Sequence, residues 1–126
     1  MLIGEIRAAL RSNASFGWES TLAGRSHAPI LRAARDRGYE VELHYLSVPF
    51  PEICVERVAR RVREGGHSVP VADINRRFHR SLHNLVDFYL PLADRWTVWD
   101  STGTRPKPLL HSSWASAMTA RSILLA

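Results

Sequence analysis

Tyr39-Glu-Val-Glu-Leu-His-Tyr-Leu-Ser-Val48 is followed at once by Pro49-Phe-Pro51 and a segment that runs to Gly65-Gly66. The first stretch is rich in Val, Leu and Tyr, as a strand is. Pro51 near a first helical position opens a helix, and the glycine pair closes it. Val55, Val58, Ala59 and Val62 recur at helical spacing and predict its buried stripe. The same alternation continues on both sides. Leu2, Ile3, Ile6 and Leu10 predict an amphipathic helix over residues 1–11, and Ser15-Phe-Gly-Trp18 a short strand. Ser26 reads as the N-cap of a helix through Arg37, with Gly38 at its C′ position. Pro70 opens a helix with the stripe Ile74, Phe78, Leu82 and Leu85, which ends near Leu90 before Pro91. Arg95 to Asp100 predicts a third strand, and Leu109-Leu110 the start of a fourth. Strands alternating with helices indicate an α/β domain on a parallel sheet.

The 126 residues fit one domain, and 45% hydrophobic with 23% charged residues excludes a wholly disordered chain. No apolar run reaches the roughly 20 residues of a membrane span. Glu5 and Arg7 interrupt what would be a leader's apolar stretch, and Cys54 is the sole cysteine, so a cytoplasmic protein is expected. The net charge of +5 is concentrated. Between Arg57 and Arg80 seven arginines face only Glu64 and Asp73, which leaves ten bases and ten acids elsewhere. All bases but Lys107 are arginine, whose fork matches phosphate and carboxylate.

In parallel α/β sheets ligands bind beyond the carboxyl ends of the strands. Three groups are placed there: Glu19-Ser20-Thr21, Ser47, and Asp100-Ser101-Thr102-Gly103. A carboxylate beside two hydroxyls suits a sugar or an alcohol, and equally suits a turn that caps itself. Arg60, Arg61, Arg63, Gly65, Gly66, His67, Arg76 and Arg77 form a basic helix–turn–helix corner, either a mobile lid over phosphates or a solvated face. His79 and His83 are four apart but lack the metalloprotease glutamate and a third ligand, so no metal site is assigned. Cys54 beside the stripe reads as packing. No Gly-x-Ser-x-Gly elbow exists, and Lys107 precedes Pro108, so the chain carries no P-loop.

Several motifs together resemble the zeta-toxin-like P-loop kinases. They are Phe16-Gly-Trp-Glu-Ser-Thr-Leu-Ala-Gly-Arg25, Arg61-Val-Arg-Glu-Gly-Gly-His-Ser-Val-Pro70 with Ile74-Asn-Arg-Arg-Phe78, Asn84-Leu-Val-Asp-Phe-Tyr-Leu-Pro-Leu-Ala-Asp94, and Asp100-Ser-Thr-Gly103. The resemblance spans residues 1–111 and leaves 112–126 as an unassigned tail. It implies a three-layer P-loop-kinase-like parallel sheet, truncated at its N-terminus. The activity implied is transfer of phosphate from ATP, with Mg, to a hydroxyl of a small molecule of the nucleotide-sugar type, UDP-N-acetylglucosamine in characterised zeta toxins. Glu19, Ser20 and Thr21 would then lie at the substrate. Arg63 and Arg76, with Arg77 as alternate and His67 in the turn, would clamp phosphates. Asp100, Ser101 and Gly103 would lie near the base.

The family's P-loop lysine, Mg-binding hydroxyl and catalytic aspartate have no counterpart in this chain, so it is expected to be inactive alone. A missing N-terminal segment, an antitoxin or a second chain are the partners implied. A non-catalytic anion- or nucleotide-binding module built on the Arg-rich lid is the alternative. Apart from Phe78 the basic segment lacks base-stacking aromatics, which argues against a nucleic acid. The family topology would place a further strand between 15–18 and 40–48. These two are therefore expected to pair in parallel or to be bridged by another chain, and an open gap between them is the least expected arrangement.

Overall fold

The computed structural model describes residues 3–125, so Leu2 of the expected N-terminal stripe lies outside the described residues. The chain forms a mixed α/β domain. In order, the elements are α1 (Ile3–Arg11), α2 (Ala28–Asp36), β1 (Glu42–Ser47), α3 (Pro51–Arg63), α4 (Val71–Asn84), β2 (Arg95–Asp100), β3 (Lys107–His111) and α5 (Ala117–Leu124). After α4 the chain widens into a π-helical turn at Leu85–Tyr89 and tightens into a 3-10 turn at Leu90–Leu92, where Pro91 ends it.

The sheet has the order β1-β2-β3. β1 and β2 are parallel, with Leu43 opposite Trp96 and Tyr45 opposite Val98. β3 lies antiparallel to β2, with a bulge between Val98 and Trp99, so the sheet is mixed rather than parallel. The reason is the connection. Residues 101–106 are too few for the crossover of a dozen or more that a parallel neighbour needs. Pro108 is accommodated because β3 is an edge strand.

Leu85, Leu90, Trp96, Val98, Leu110 and Ala120 form one buried cluster, and Ala28, Leu31, Val41 and Tyr89 a second. Of the stripe predicted for α4, Ile74, Leu82 and Leu85 are buried and Phe78 is half-buried. The stripe predicted for α3 is corrected. No residue of this helix is fully buried, and Ala59 and Val62 are exposed. Periodicity says which residues share a face, and the element packed most against α3, α4, leaves that face partly open. α5 docks residues 112–125 onto the core through Ala120, capped by Ser116, whose Oγ accepts from Thr119 N at 3.1 Å, and tied by Arg121 to Asp87.

Helix ends follow local chemistry. Pro51 takes the first turn of α3. α2 is preceded by His27 without a side-chain cap, so Ser26 is not the cap expected. Gly38, at φ +87°, closes α2 by donating to the Arg35 carbonyl at 2.9 Å while Tyr39 N donates to that of Ala34 at 3.0 Å. Gly65 (φ +95°) and Gly66 repeat this pattern on α3, with Gly66 N donating to the Arg61 carbonyl at 2.7 Å. The glycine pair therefore forms a hydrogen-bonded helix stop, as its place in the sequence predicts. Since no atom lies within 4 Å of a Cβ built at Gly38, Gly38→Ala should act through φ alone. It is expected to destabilise the fold by roughly 1–2 kcal/mol in urea unfolding, with Gly38→Asn losing less.

Residues 15–18 have no regular structure and join no ladder, so the predicted strand is absent. Side chains hold the segment instead. Phe16 stacks on Trp18 at 5.9 Å and meets Tyr39 edge-on at 5.8 Å, and Trp18 Nε1 donates to His27 Nδ1 at 3.3 Å. The Tyr39 hydroxyl donates into the carbonyls that end α1, closest to Leu10 O at 3.0 Å. An open groove, the least expected arrangement, separates this segment from β1. An extended segment makes a strand only where a partner backbone lies within bonding distance, and these contacts keep 15–18 away from β1.

Candidate functional site

Two concavities contain the residues picked out from the sequence. The first is the groove just described, of about 720 Å³, between 16–22 and β1, with Ile30, Leu31 and Ala34 of α2 and Tyr89 on its lining. Glu19, Ser20 and Thr21 lie on its wall. The Ser20 hydroxyl accepts from Leu22 N at 3.1 Å and that of Thr21 from Ala23 N at 3.4 Å, so both hydroxyls serve local turns.

Buried polar groups pin this wall from below. Tyr45 donates to Ser81 Oγ at 2.8 Å, and Ser81 Oγ donates to the Thr21 carbonyl at 2.7 Å. Asn84 Nδ2 donates to Leu22 O at 2.8 Å, and the Tyr89 hydroxyl to Gly24 O at 2.7 Å. Leu22 sits at φ +57°, a conformation this cradle holds. Burial pushes the Tyr45 phenol up from its ordinary value, partly offset by the Ser81 bond. Ser81 was not singled out from the sequence, and Asn84 and Tyr89 stood only within the motif Asn84–Asp94 with no role of their own. The signal was present, since Ser81 lies three residues after Phe78 and four before Leu85, a polar residue within an apolar stripe.

The second concavity, about 480 Å³, opens at the carboxyl ends of β1 and β2 between α3 and the loop after β2. Ser101 N and Oγ both donate to the Ser47 carbonyl, at 2.8 and 3.1 Å, and Ser47 Oγ donates to Trp99 O at 3.0 Å. Two of the three groups expected at the strand ends are thus joined. Asp100 Oδ1 accepts from Thr102 Oγ1 at 2.6 Å and from Thr102 N at 3.0 Å, which holds its carboxyl below the usual carboxylate range. Arg57 Nη2 donates to Ser101 O at 2.5 Å and so ties α3 to this loop. Arg57, Arg60, Arg63 and Glu56 face Thr102, Gly103 and Thr104 across the cavity. Three guanidiniums against one carboxylate suit an anion.

The remaining lid residues are distributed differently. Arg76 is engaged by Asp73 at 2.7 Å, while Arg77 and His67 are exposed. Arg63 lines the cavity at the loop after β2, and Arg76 does not. Cys54 is half-buried, and burial pushes its thiol up against the opposing charge of Arg57. Among the described residues no three His, Cys, Asp or Glu side chains gather as a metal would need, and no helix is long and apolar enough to cross a membrane.

No protein-family model matches the chain, and no solved structure matches it. An uncharacterized protein of Haemophilus influenzae is 34% identical to it over 67 residues, which cover 53% of this chain and 48% of that protein. The chain thus spans about half the length of that relative.

Proposed function

We propose that this chain carries the acceptor- and phosphate-binding elements of a zeta-toxin-like phosphotransferase with a three-layer kinase sheet, and that by itself it binds a phosphorylated ligand without turnover. The supporting observation is the cavity at the carboxyl ends of the parallel pair β1-β2, where Arg57, Arg60 and Arg63 face the Thr102–Gly103–Thr104 loop. Arg60 and Arg63 have no carboxylate within 4 Å among the described residues, so their forks are available to phosphate oxygens. Arg57 holds the loop, and Asp100 with Thr102 shapes it near a nucleotide base. ATP with Mg is the phosphate donor that the resemblance implies. Glu19, on the groove wall, is the group placed to accept a hydroxyl of a nucleotide sugar.

The test is a titration of the ¹⁵N-labelled chain with inorganic pyrophosphate and with ATP. Amide shifts should move together at residues 57–63 and 101–104. Exposure of the arginines limits affinity to the order of millimolar. The double substitution Arg60→Ala with Arg63→Ala is expected to weaken binding by about tenfold. Arg76→Ala should change it less, because Asp73 already occupies that guanidinium. Binding left unchanged by the double substitution would assign the arginines to a solvated face.

A further inference from the structure

The outward face of α4 is built from two residue types. Ile74, Ser81, Leu82 and Asn84 are buried, and Asn75 and Phe78 are half-buried. Each exposed residue from Arg76 to Asn84 is an arginine or a histidine, namely Arg76, Arg77, His79, Arg80 and His83. Arg76, His79, Arg80 and His83 stand at i, i+3, i+4 and i+7, the spacing of one helix face, and span about 10 Å. The acids at both ends of this face are occupied. Asp73 bonds Arg76 at 2.7 Å, and Asp87, four residues after His83, is tied to Arg121. Among the described residues no carboxylate lies within 4 Å of Arg77 or Arg80.

Chemistry narrows the occupant. Protein partners are held by an apolar or aromatic centre inside a polar rim, and this face has no such centre. A phosphodiester backbone asks only for charge and donors. The arginine fork fits its oxygens, and even a neutral imidazole donates one N–H. The whole net charge of +5 lies between Arg57 and Arg80, so the field of the molecule draws a polyanion to this side. We infer that the exposed face of α4 binds the phosphodiester backbone of a nucleic-acid duplex without reading its sequence. Unpaired bases would need stacking aromatics, which the basic segment lacks apart from half-buried Phe78. A duplex keeps its bases paired and offers its phosphates, and contacts to those position a protein without specifying sequence. The inference is independent of the anion cavity, whose arginines lie on α3.

The probe is a fluorescein-labelled duplex of mixed sequence, as DNA and as RNA, titrated with the full chain and read by anisotropy. With Arg77 and Arg80 each neutralising one phosphate, log K should fall against log salt with a slope of about −1.8, so binding weakens about tenfold between about 50 and 200 mM salt. The dissociation constant should be on the order of 10⁻⁴ M at the low end. Arg77→Gln with Arg80→Gln keeps two good helix formers at exposed positions and should abolish that slope. Arg60→Ala with Arg63→Ala should leave it unchanged. On the unsubstituted ¹⁵N-labelled chain, the duplex should move the amide shifts of residues 76–84. A polyglutamate of similar charge should bind more weakly than either duplex. Binding of one duplex and not the other supports the inference and names the source of the backbone. A slope that survives the Arg77, Arg80 double substitution would leave the face to solvent. A slope lost with the Arg60, Arg63 pair would assign the duplex to the anion cavity. Polyglutamate bound as tightly as the duplexes would make the face a site for acidic polymers at large, and no binding of either duplex would remove the site. Each of these four results overturns the inference.

Discussion

Supplied with ATP, Mg²⁺ and UDP-N-acetylglucosamine, the purified 126-residue chain is expected to transfer and hydrolyse no phosphate above the buffer rate. The chain holds no Gly-x-x-x-x-Gly-Lys-Ser/Thr, and its lone lysine, Lys107, sits on β3 before Pro108. Phosphoryl transfer is achieved by positioning and by stabilising charge on the phosphate oxygens, and a P-loop supplies an amide cradle, a lysine and a metal-holding hydroxyl for this. Each electrostatic donor of this kind contributes roughly a hundred- to a thousand-fold, so lacking even two of the three leaves a rate about 10⁴–10⁶ lower. In the proposed reading Arg57, Arg60 and Arg63 hold a phosphate, but no lysine lines their cavity and Glu56 is its one carboxylate. A sensitive coupled assay, repeated with an Arg60→Ala, Arg63→Ala control, checks this. Turnover that the double substitution abolishes would show that the chain is a complete catalyst and that its phosphate chemistry runs without a P-loop.

The largest effect on stability is expected under the 20–24 segment. Asn84 is 3% exposed and Tyr89 1%, and their donors reach Leu22 O and Gly24 O, carbonyls of a segment that has no ladder of its own. Asn84→Leu leaves the Leu22 carbonyl without its partner, at roughly 1–3 kcal/mol, and Tyr89→Phe removes the shorter of two bonds to the Gly24 carbonyl. Asn84 also approaches Gly24 O, at 3.4 Å, so each single keeps one donor on that carbonyl and the double variant, which removes both, should lose more than the sum of the singles. For a domain whose whole stability is about 5–15 kcal/mol these are large fractions. Urea unfolding of the two singles and the double measures the coupling. The indole emission of Trp18, on the same segment, should shift toward that of exposed tryptophan before global unfolding. Full additivity with unshifted emission would mean that the aromatic contacts of Phe16, Trp18 and Tyr39 hold the wall unaided.

Much of the chain was legible without coordinates wherever the governing interaction is local. Pro51 starts α3 because its fixed φ suits a first turn, and Gly38 and Gly65 end α2 and α3 because each needs a positive φ. The stripe Ile74, Leu82 and Leu85 is buried as its spacing required, and β1 and β2 fall where Val, Leu, Tyr and Trp concentrate. The short 101–106 connection already carried the direction of β3, although the alternation of strands and helices pointed to a parallel sheet.

Tertiary structure decided the rest, since each remaining feature depends on what a segment meets. Residues 15–18 have strand composition but no backbone partner, so aromatic contacts fix them across a groove from β1. The valines of α3 share a face, but with α4 as its neighbour that face stays partly open. The basic corner is one run in the sequence. In space Asp73 takes Arg76, whereas Arg57 reaches the Ser101 carbonyl and brings Arg60 and Arg63 to the loop after β2. Ser81 and Asn84 read as neutral interruptions of a helix until the carbonyls of Thr21 and Leu22 are placed above them. Sequence by itself determined the ends of α2 and α3, the start of α4 and the places of β1 and β2, because prolines, glycines and periodicity act within a few residues. Which cations are available, which backbone edge is open and which buried polar groups are satisfied follow from contacts between residues up to 65 positions apart, and only the fold makes those contacts.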